Sequence, residues 1–310
     1  MLSKKPRIEI LEAKADEKFH NRRLLRNSCF LGINEKQQKE SQRKISNATV
    51  GIAGSGGLGS NLAMQLARMG VKHIKIGDPD HFEESNINRQ HGAGIDTIGR
   101  NKSLVVGEMI QKSMPDVKIE VFPEGIQRHT AEAFVEGTDL LFDCTDFYLV
   151  DERYALHRAY RKHTRTKSML CAMVWGWGCA IYDFDRYGMT FEELIGLPEG
   201  EDLTPDKIER LLLMQANYFP RFPNKKYILN WMDDMGNIPI LGAVVPIAIG
   251  FLAARGCLKL SDMDCEPYCT PLPPIPNYHW VDALELKSSL EYYDGNWRNL
   301  DAFIQHFPNG

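Results

Sequence analysis

The stretch Thr49-Val-Gly-Ile-Ala-Gly54-Ser-Gly56-Gly57-Leu-Gly59 decides the fold. Its first five residues are a short apolar run, and the glycines follow at once. From 58 to 69 apolar residues recur at helical spacing. Strand, glycine turn and helix thus succeed one another without a gap, and Gly54 to Gly59 fit the pattern GxGxxG. Such a turn lets backbone N–H groups approach a phosphate at a helix N-terminus. The motif alone is weak evidence, because a tight strand-to-helix turn needs glycine with or without a ligand.

The same alternation repeats along the chain. Lys72-His-Ile-Lys-Ile reads as a second strand, 101–114 as a helix, Val117-Lys-Ile-Glu-Val-Phe as a third strand and Asp139-Leu-Leu-Phe-Asp as a fourth. Residues 168–175 and 179–184 form two more around the small turn Gly176-Trp-Gly178. Parallel neighbours need a crossover connection, so the expected fold is α/β: a Rossmann-like, mostly parallel sheet with helices on both faces. Ligands then lie beyond the carboxyl ends of the strands. Five segments are expected. Residues 1–46 are a basic helical arm, since 1–50 carry 12 Lys or Arg against 6 Asp or Glu. Residues 47–185 are the nucleotide-binding domain and 186–240 a crossover or substrate segment with a helix near 205–215. A helix at 241–260 completes the domain. Residues 261–310 are an irregular tail, with a Pro- and Cys-bearing loop at 265–276 and a last short helix at 294–307.

Composition narrows the function. Over 310 residues, 43% apolar and 25% charged side chains exclude disordered and fibrous classes. A net charge of -4 argues against a wholesale nucleic-acid or membrane binder, whose field would be strongly positive. The most apolar stretch, 238–254, contains Pro239, Gly242, Pro246 and Gly250 and falls short of the roughly 20 residues a membrane span needs. It reads as a buried helix. Seven scattered cysteines and a start without a signal-like apolar core point to a reducing, cytoplasmic setting.

The chemistry lies after the glycine turn. Asp78 ends the second strand 19 residues past Gly59, where an acidic residue hydrogen-bonds ribose hydroxyls. To this point a nicotinamide dehydrogenase fits equally well. Ser85-Asn86-Ile-Asn88-Arg89-Gln90 then places a guanidinium 11 residues past Asp78, and Gly99-Arg-Asn-Lys102 an ammonium 13 residues further on. Arg suits bidentate phosphate contacts and Lys acts as a point charge, so the pair can neutralise an α-phosphate as pyrophosphate leaves. Asp143-Cys-Thr-Asp146 ends the fourth strand with carboxylates in the crevice, and hard oxygen ligands suit Mg²⁺.

In this order and spacing the motifs resemble the ThiF/MoeB/HesA family, bacterial relatives of ubiquitin-activating enzymes, loosely over 19–260. The resemblance implies ATP-dependent adenylation of a carboxylate. It puts Gly54, Gly56, Gly57 and Gly59 on the phosphates and Asp78 on the ribose. Asn86, Arg89 and Lys102 fall on the phosphate chain, with Asp80, Ser85, Asn88 and Gln90 also in the ATP site. Asp146 would hold Mg²⁺. The family has an N-terminal arginine that reaches the partner subunit's ATP site, and Phe19-His-Asn-Arg22-Arg23 lies where that segment should. Arg22 is the candidate and Arg23 the alternate, so the resemblance implies a homodimer. The implied catalytic set is Arg89, Lys102, Asp146 and Arg22.

Three departures refine this. Phe147 follows the magnesium aspartate where the family commonly has Asn, and Asp151 replaces an arginine, with Arg153 nearby. Nucleotide base contacts are therefore expected to differ. The chain has no Cys-x-x-Cys pair, and Cys265 with Cys269 is its one close couple, so no structural zinc is expected. Residues 186–238 contain no cysteine, so no acyl transfer to a crossover thiol is expected. These departures favour a likeness to members that modify or cyclise ribosomal peptides, such as the microcin C and pantocin A maturation enzymes. The alternatives are activation of a sulfur-carrier or ubiquitin-like C-terminus, the transfer-RNA threonylcarbamoyladenosine dehydratase, and an ATP-sensing protein without turnover. Two aromatic clusters, Trp175-Gly-Trp177 and Tyr218-Phe-Pro-Arg-Phe222, suit either peptide binding or packing.

Overall fold

The computed structural model describes residues 5–197, 204, 222–235 and 238–292. The helices expected at 205–215 and 294–307 lie outside these, as does most of 218–222. The strands are β1 (Glu9–Leu11), β2 (Thr49–Ala53), β3 (His73–Gly77), β4 (Lys118–Phe122), β5 (Leu140–Asp143), β6 (Met169–Trp175), β7 (Gly178–Phe184), β8 (Asn277–Asp282) and β9 (Lys287–Tyr292). The helices are α1 (Glu17–Arg23), α2 (Glu35–Asn47), α3 (Gly57–Arg68), α4 (Lys102–Ser113), α5 (Ala131–Val135), α6 (Val150–Lys162), α7 (Phe191–Ile195), α8 (Lys225–Met235) and α9 (Val245–Leu260).

One sheet carries all nine strands in the order β1-β4-β3-β2-β5-β6-β7-β8-β9. The run from β4 to β6 is parallel, and β1, β7, β8 and β9 extend it antiparallel at both sides. All five residues of β2 are buried, as befits a central parallel strand covered on both faces. The chain builds β2, β3 and β4 outward in one direction and then returns to place β5 on the other side of β2. The strand order therefore reverses between β2 and β5, and the crevice at their carboxyl ends is where an open α/β sheet binds ligands.

Two cores sandwich the sheet. On one face α3, α4 and α9 cover Val50, Ile52, Ile74, Ile76, Leu140 and Phe142. On the other, α5, α6 and α7 cover Ala53, Leu141, Tyr182 and Phe184. Local chemistry sets the helix ends. Asn101 caps α4 by accepting from Leu104 N–H at 3.1 Å. Pro246 sits in the first turn of α9, where its missing N–H has no intrahelical partner to lose. This lets the proline-bearing stretch end in a long buried helix. Among the described residues no helix is long and apolar enough to cross a membrane.

The structure departs from the sequence reading in four places. β1 turns part of the arm into an edge strand paired with β4. Helix α6 follows the fourth expected strand. The tail is irregular only as far as Pro276, after which β8 and β9 form a hairpin that widens the sheet. The arm itself is tied down: buried His20 contacts Asp116 Oδ2 at 2.6 Å and Ser46 Oγ at 2.9 Å. Arg23 Nη2 meets the same Asp116 at 2.7 Å, and its Nη1 donates to Ala67 O at 2.8 Å, near the end of α3.

Candidate active site

Close backbone packing builds the glycine turn. Gly54 has φ of +88°, and a Cβ there would strike the Cys144 carbonyl at the end of β5. A Cβ on Gly59 would overlap the Gly54 carbonyl oxygen. Glycine is thus required where β2, α3 and β5 converge. Helix α3 starts after Gly56 with no side-chain cap, so its first N–H groups are unmet by any side chain. Those donors and the helix dipole face the crevice, as an anion site needs.

Asp78, at the end of β3, is buried, accepting from Ser55 N–H at 2.5 Å and from Asp80 N–H at 2.9 Å. Burial raises its pKa to about 6, opposed by the charge of Lys102 and by these two N–H groups. It fixes the glycine turn as well as standing where a ribose would lie. Asp80 reaches outward and pairs with Lys102 Nζ at 3.0 Å. Lys102 is the first residue of α4. Asn101 holds that end in place by donating to Asp78 O at 2.9 Å, while Lys102 N–H donates to Asp80 O at 2.9 Å.

The Ser85 to Gln90 run divides. Asn86 is buried and closes its own turn, accepting from Glu83 N–H at 3.1 Å and donating to Ser85 Oγ at 3.3 Å. Asn88 Oδ1 takes Arg89 Nη1 at 3.0 Å, and Ser85 O takes it at 3.3 Å. Arg89 lies along Gly57, and Gln90 beside Gly56. Burial lowers the Arg89 pKa, while the Asp146 charge pushes it back up. Three buried polar atoms here lack a partner among the described residues: Ser55 Oγ, Arg89 Nε and Gln90 Oε1. Buried polar atoms are normally paired, so a site that leaves three of them together is built to receive polar ligand atoms.

The β5 end corrects one expectation. Of the two carboxylates placed in the crevice, only Asp146 reaches it. The two-residue period of β5 turns Asp143 inward with Leu141, towards α6. It accepts from Arg153 Nε at 2.7 Å, His157 Nε2 at 3.1 Å and Thr145 Oγ1 at 2.5 Å. Burial alone would raise its pKa, but Arg153, His157 and Thr145 overcome that and hold it well below the usual carboxylate range. Arg153 is therefore buried beneath the site, over the Phe191 ring at 4.3 Å, and does not replace the arginine the family keeps two positions earlier. Phe147 likewise turns into the core, edge-on to Tyr148 at 5.5 Å.

Asp146 reaches solvent yet is crowded by protein, which raises its pKa; the Tyr148 hydroxyl, Lys102 and Arg89 oppose the rise and Asp80 adds to it. Its Oδ2 accepts from Tyr148 OH at 3.0 Å. Arg89, Lys102, Asp80 and Asp146 thus feel one another's charge. The described residues contain no group of three or more His, Cys, Asp or Glu side chains able to hold a metal. Mg²⁺ calls for no such all-protein cage, being held by one or two carboxylates plus substrate phosphates. Asp146 fits this role, with Asp80 beside it.

Arg22 is exposed on α1, while Arg23 is engaged by Asp116 and Ala67 O. That anchorage is near the far end of α3, about 15 Å along the helix from Gly57 at 1.5 Å per residue. Cys265 and Cys269 are free thiols, Cys269 within 3.6 Å of Arg255 Nη1. Sequence reasoning missed Ser60, Asn61, Tyr148 and Gly242. The polar Ser60-Asn61 pair just inside a glycine-opened helix was the available signal for two of them.

The family model that matches is the ThiF family, over residues 31–285. The chain belongs to the ThiF family. Among its sequence relatives, the adenylyltransferase and sulfurtransferase UBA4 of Candida albicans is 36% identical over 117 residues, covering 36% of this chain and 27% of the relative. The probable adenylyltransferase/sulfurtransferase MoeZ of Mycobacterium tuberculosis is 29% identical over 172 residues, 54% of this chain and 41% of that protein. A sulfur carrier protein adenylyltransferase of Thermus thermophilus is 30% identical over 121 residues, 38% of this chain and 45% of that one. The matches thus span between about a quarter and a half of these relatives. Among solved structures, PaaA superposes with a TM-score of 0.63 at 18% identity, over 91% of this chain and 76% of that one. E. coli MccB with ATP gives 0.62 at 17% identity, over 90% and 74%. These two share the fold of this ThiF-family chain.

Proposed function

We propose that the chain uses ATP to adenylate a carboxyl group on a peptide or small protein. The observation that carries the reading is the convergence of Arg89, Lys102 and Asp146 on an uncapped α3 N-terminus, with three partnerless buried polar atoms around it. The substrate carboxylate attacks the α-phosphorus, the bond from that phosphorus to the α,β-bridging oxygen breaks, and pyrophosphate leaves with the electron pair. Arg89 and the α3 N–H groups meet charge on the phosphate chain, and Lys102 exchanges Asp80 for a phosphate oxygen. Asp78 accepts from ribose hydroxyls. Mg²⁺, held by Asp146 with the phosphates, would supply further neutralisation of charge on the leaving group.

The reading includes a homodimer in which Arg22 of each chain enters the other's site. Exposure of Arg22, on a helix whose next residue is anchored near the far end of α3, supports that arrangement. The acceptor is read from the sequence. With no cysteine in 186–238, the acyl-adenylate is captured by another group, within the substrate or on a second protein. This favours peptide modification, while the names of the sequence relatives favour a sulfur-carrier C-terminus. ATP–pyrophosphate exchange with Mg²⁺ tests the reading, run with peptides, ubiquitin-like proteins ending in a free Gly-Gly, and bulk transfer RNA. Exchange that depends on a peptide or small protein is expected. Stimulation by transfer RNA alone, or ATP binding without exchange for any of them, would refute it.

A further inference from the structure

Arg89 carries the site's guanidinium, yet it sits on no long helix or strand but on a turn that continues the short 3-10 helix Glu84–Asn86. Two side chains from the first turn of α3 hold that segment. Ser60 Oγ donates to Gly56 O at 2.6 Å and accepts from His91 N–H at 3.0 Å. Asn61 Nδ2 donates to Gly57 O at 2.7 Å and to Arg89 O at 3.1 Å. A single amide thus ties the Arg89 peptide to the glycine turn. The opposite side is closed by the chain returning from the crossover. A Cβ on Gly242 would lie 2.6 Å from Asn88 O and 3.5 Å from Arg89 Cβ. Between these two supports the Arg89 side chain runs past Gly57, with Cγ, Cδ and Nε at 3.4, 3.6 and 3.7 Å from where a Cβ would stand.

We infer that Asn61 and Gly242 are positioning residues for Arg89. Asn61 fixes the Arg89 peptide against the phosphate-binding turn. Gly242 lets the crossover's return close on the same peptide, so the segment on the substrate side bears directly on the cation on the phosphate side. The inference rests on the adenylation reading for its effect on rate, and on geometry alone for the coupling. A guanidinium that keeps its charge but loses its aim still attracts ATP. It fails to track charge that develops in the transition state, where a misplacement of about 1 Å costs on the order of 100-fold. The loss therefore falls on kcat rather than on KM.

The test uses the full chain carrying Asn61→Ala, Asn61→Asp or Gly242→Ala, each alone and combined with Arg89→Ala. Asn61→Asp keeps the side chain's size but removes its donor. Exchange kinetics and calorimetric ATP affinity are measured for every protein. Each single variant is expected to lower kcat by about 30-fold with KM for ATP moving less than about 3-fold. In the Arg89→Ala background the same change is expected to add nothing, because the residue being positioned is gone. Losses that multiply in that background would overturn the inference, as would a normal kcat in a folded Asn61→Ala protein. Should Gly242→Ala not fold, the two Asn61 variants decide. If the wild-type chain shows no exchange at all, the adenylation reading fails separately. The geometry is then read directly: a crystal structure of Asn61→Ala in which the Arg89 peptide has left its wild-type place upholds positioning, and one in which it has not moved refutes it.

Discussion

Two strand ends of this molecule carry the same device in opposite electrostatic settings. β3 ends in Asp78 followed by Asp80, and β5 ends in Asp143 followed by Asp146. In each pair the first carboxylate is buried and organises the turn, and the second reaches the crevice. The buried members differ in what surrounds them. Asp143 has a guanidinium and an imidazole within 3.1 Å, and its pKa falls. Asp78 has two backbone N–H groups and no direct cation, and its pKa rises to about 6. Burial to a similar depth therefore shifts a carboxylate either way, and the sign is set by whether a full charge touches it or, like Lys102 with Asp78, only stands nearby.

Asp143→Ala would break the better-satisfied end. It removes the buried carboxylate that Arg153 and His157 share and is expected to destabilise the fold by about 3–5 kcal/mol, read by urea denaturation at neutral pH. A loss under 1 kcal/mol would show that the network has slack. Asp146→Ala at the same strand end is expected to do the reverse, leaving urea stability nearly unchanged while exchange kcat falls roughly 100- to 1000-fold. A stability loss like that of Asp143→Ala would erase the distinction between inner and outer carboxylate.

The inner carboxylates also separate by pH. Asp78 has a raised pKa, so the stability it contributes is fully present below its unfolded value of 3.8 and is lost as pH rises through about 6. Asp143 has a depressed pKa, so its contribution is present above 3.8 and is lost only as pH falls through its folded value. Lowering the pH from 7 to 5 should then make Asp78→Ala more costly by about 1 kcal/mol, while the cost of Asp143→Ala stays flat. Equal slopes would mean that the two sites are not electrostatically distinct. The smallest effect is expected for Tyr148→Phe, which removes the hydrogen bond to Asp146 Oδ2 and is worth about 0.5–1.5 kcal/mol. It should lower exchange by about tenfold or less and shift its Mg²⁺ dependence, with no change at Asp78 or Asp143.

The parallel core was legible because β2, β5 and β6 are short, mostly apolar runs and β3 and β4 alternate apolar with polar residues. α6 was not, because its inward stripe of Val150, Arg153, Tyr154, His157 and Tyr160 places two ionisable residues where a helical pattern is read from apolar ones. β8 and β9 were hidden for a similar reason. β8 alternates Tyr278, Trp280 and Asp282 inward, and β9 is largely exposed. β1 has three residues, too few for any period. At the site, motif order located Arg89, Lys102 and Asp146. It could not separate Asp143 from Asp146, since that depends on which face of β5 turns towards α6. Nor could it give Asn61 or Gly242, whose parts depend on segments about 30 and 150 positions away meeting in space.

The Lys102–Asp80 ion pair at 3.0 Å also governs how a nucleotide arrives. A lysine already answered by a carboxylate projects little field into solvent. Around it Arg89 and Asp146 oppose one another's charge, so these described side chains give the crevice no positive funnel. A polyanion approaches it at ordinary diffusive speed, and salt, which slows guided encounters by shortening the range of charge, leaves this one nearly unaltered. On the adenylation proposed above, capture begins with Lys102 changing partners, and the crevice selects its nucleotide by how long it stays, not by how fast it comes.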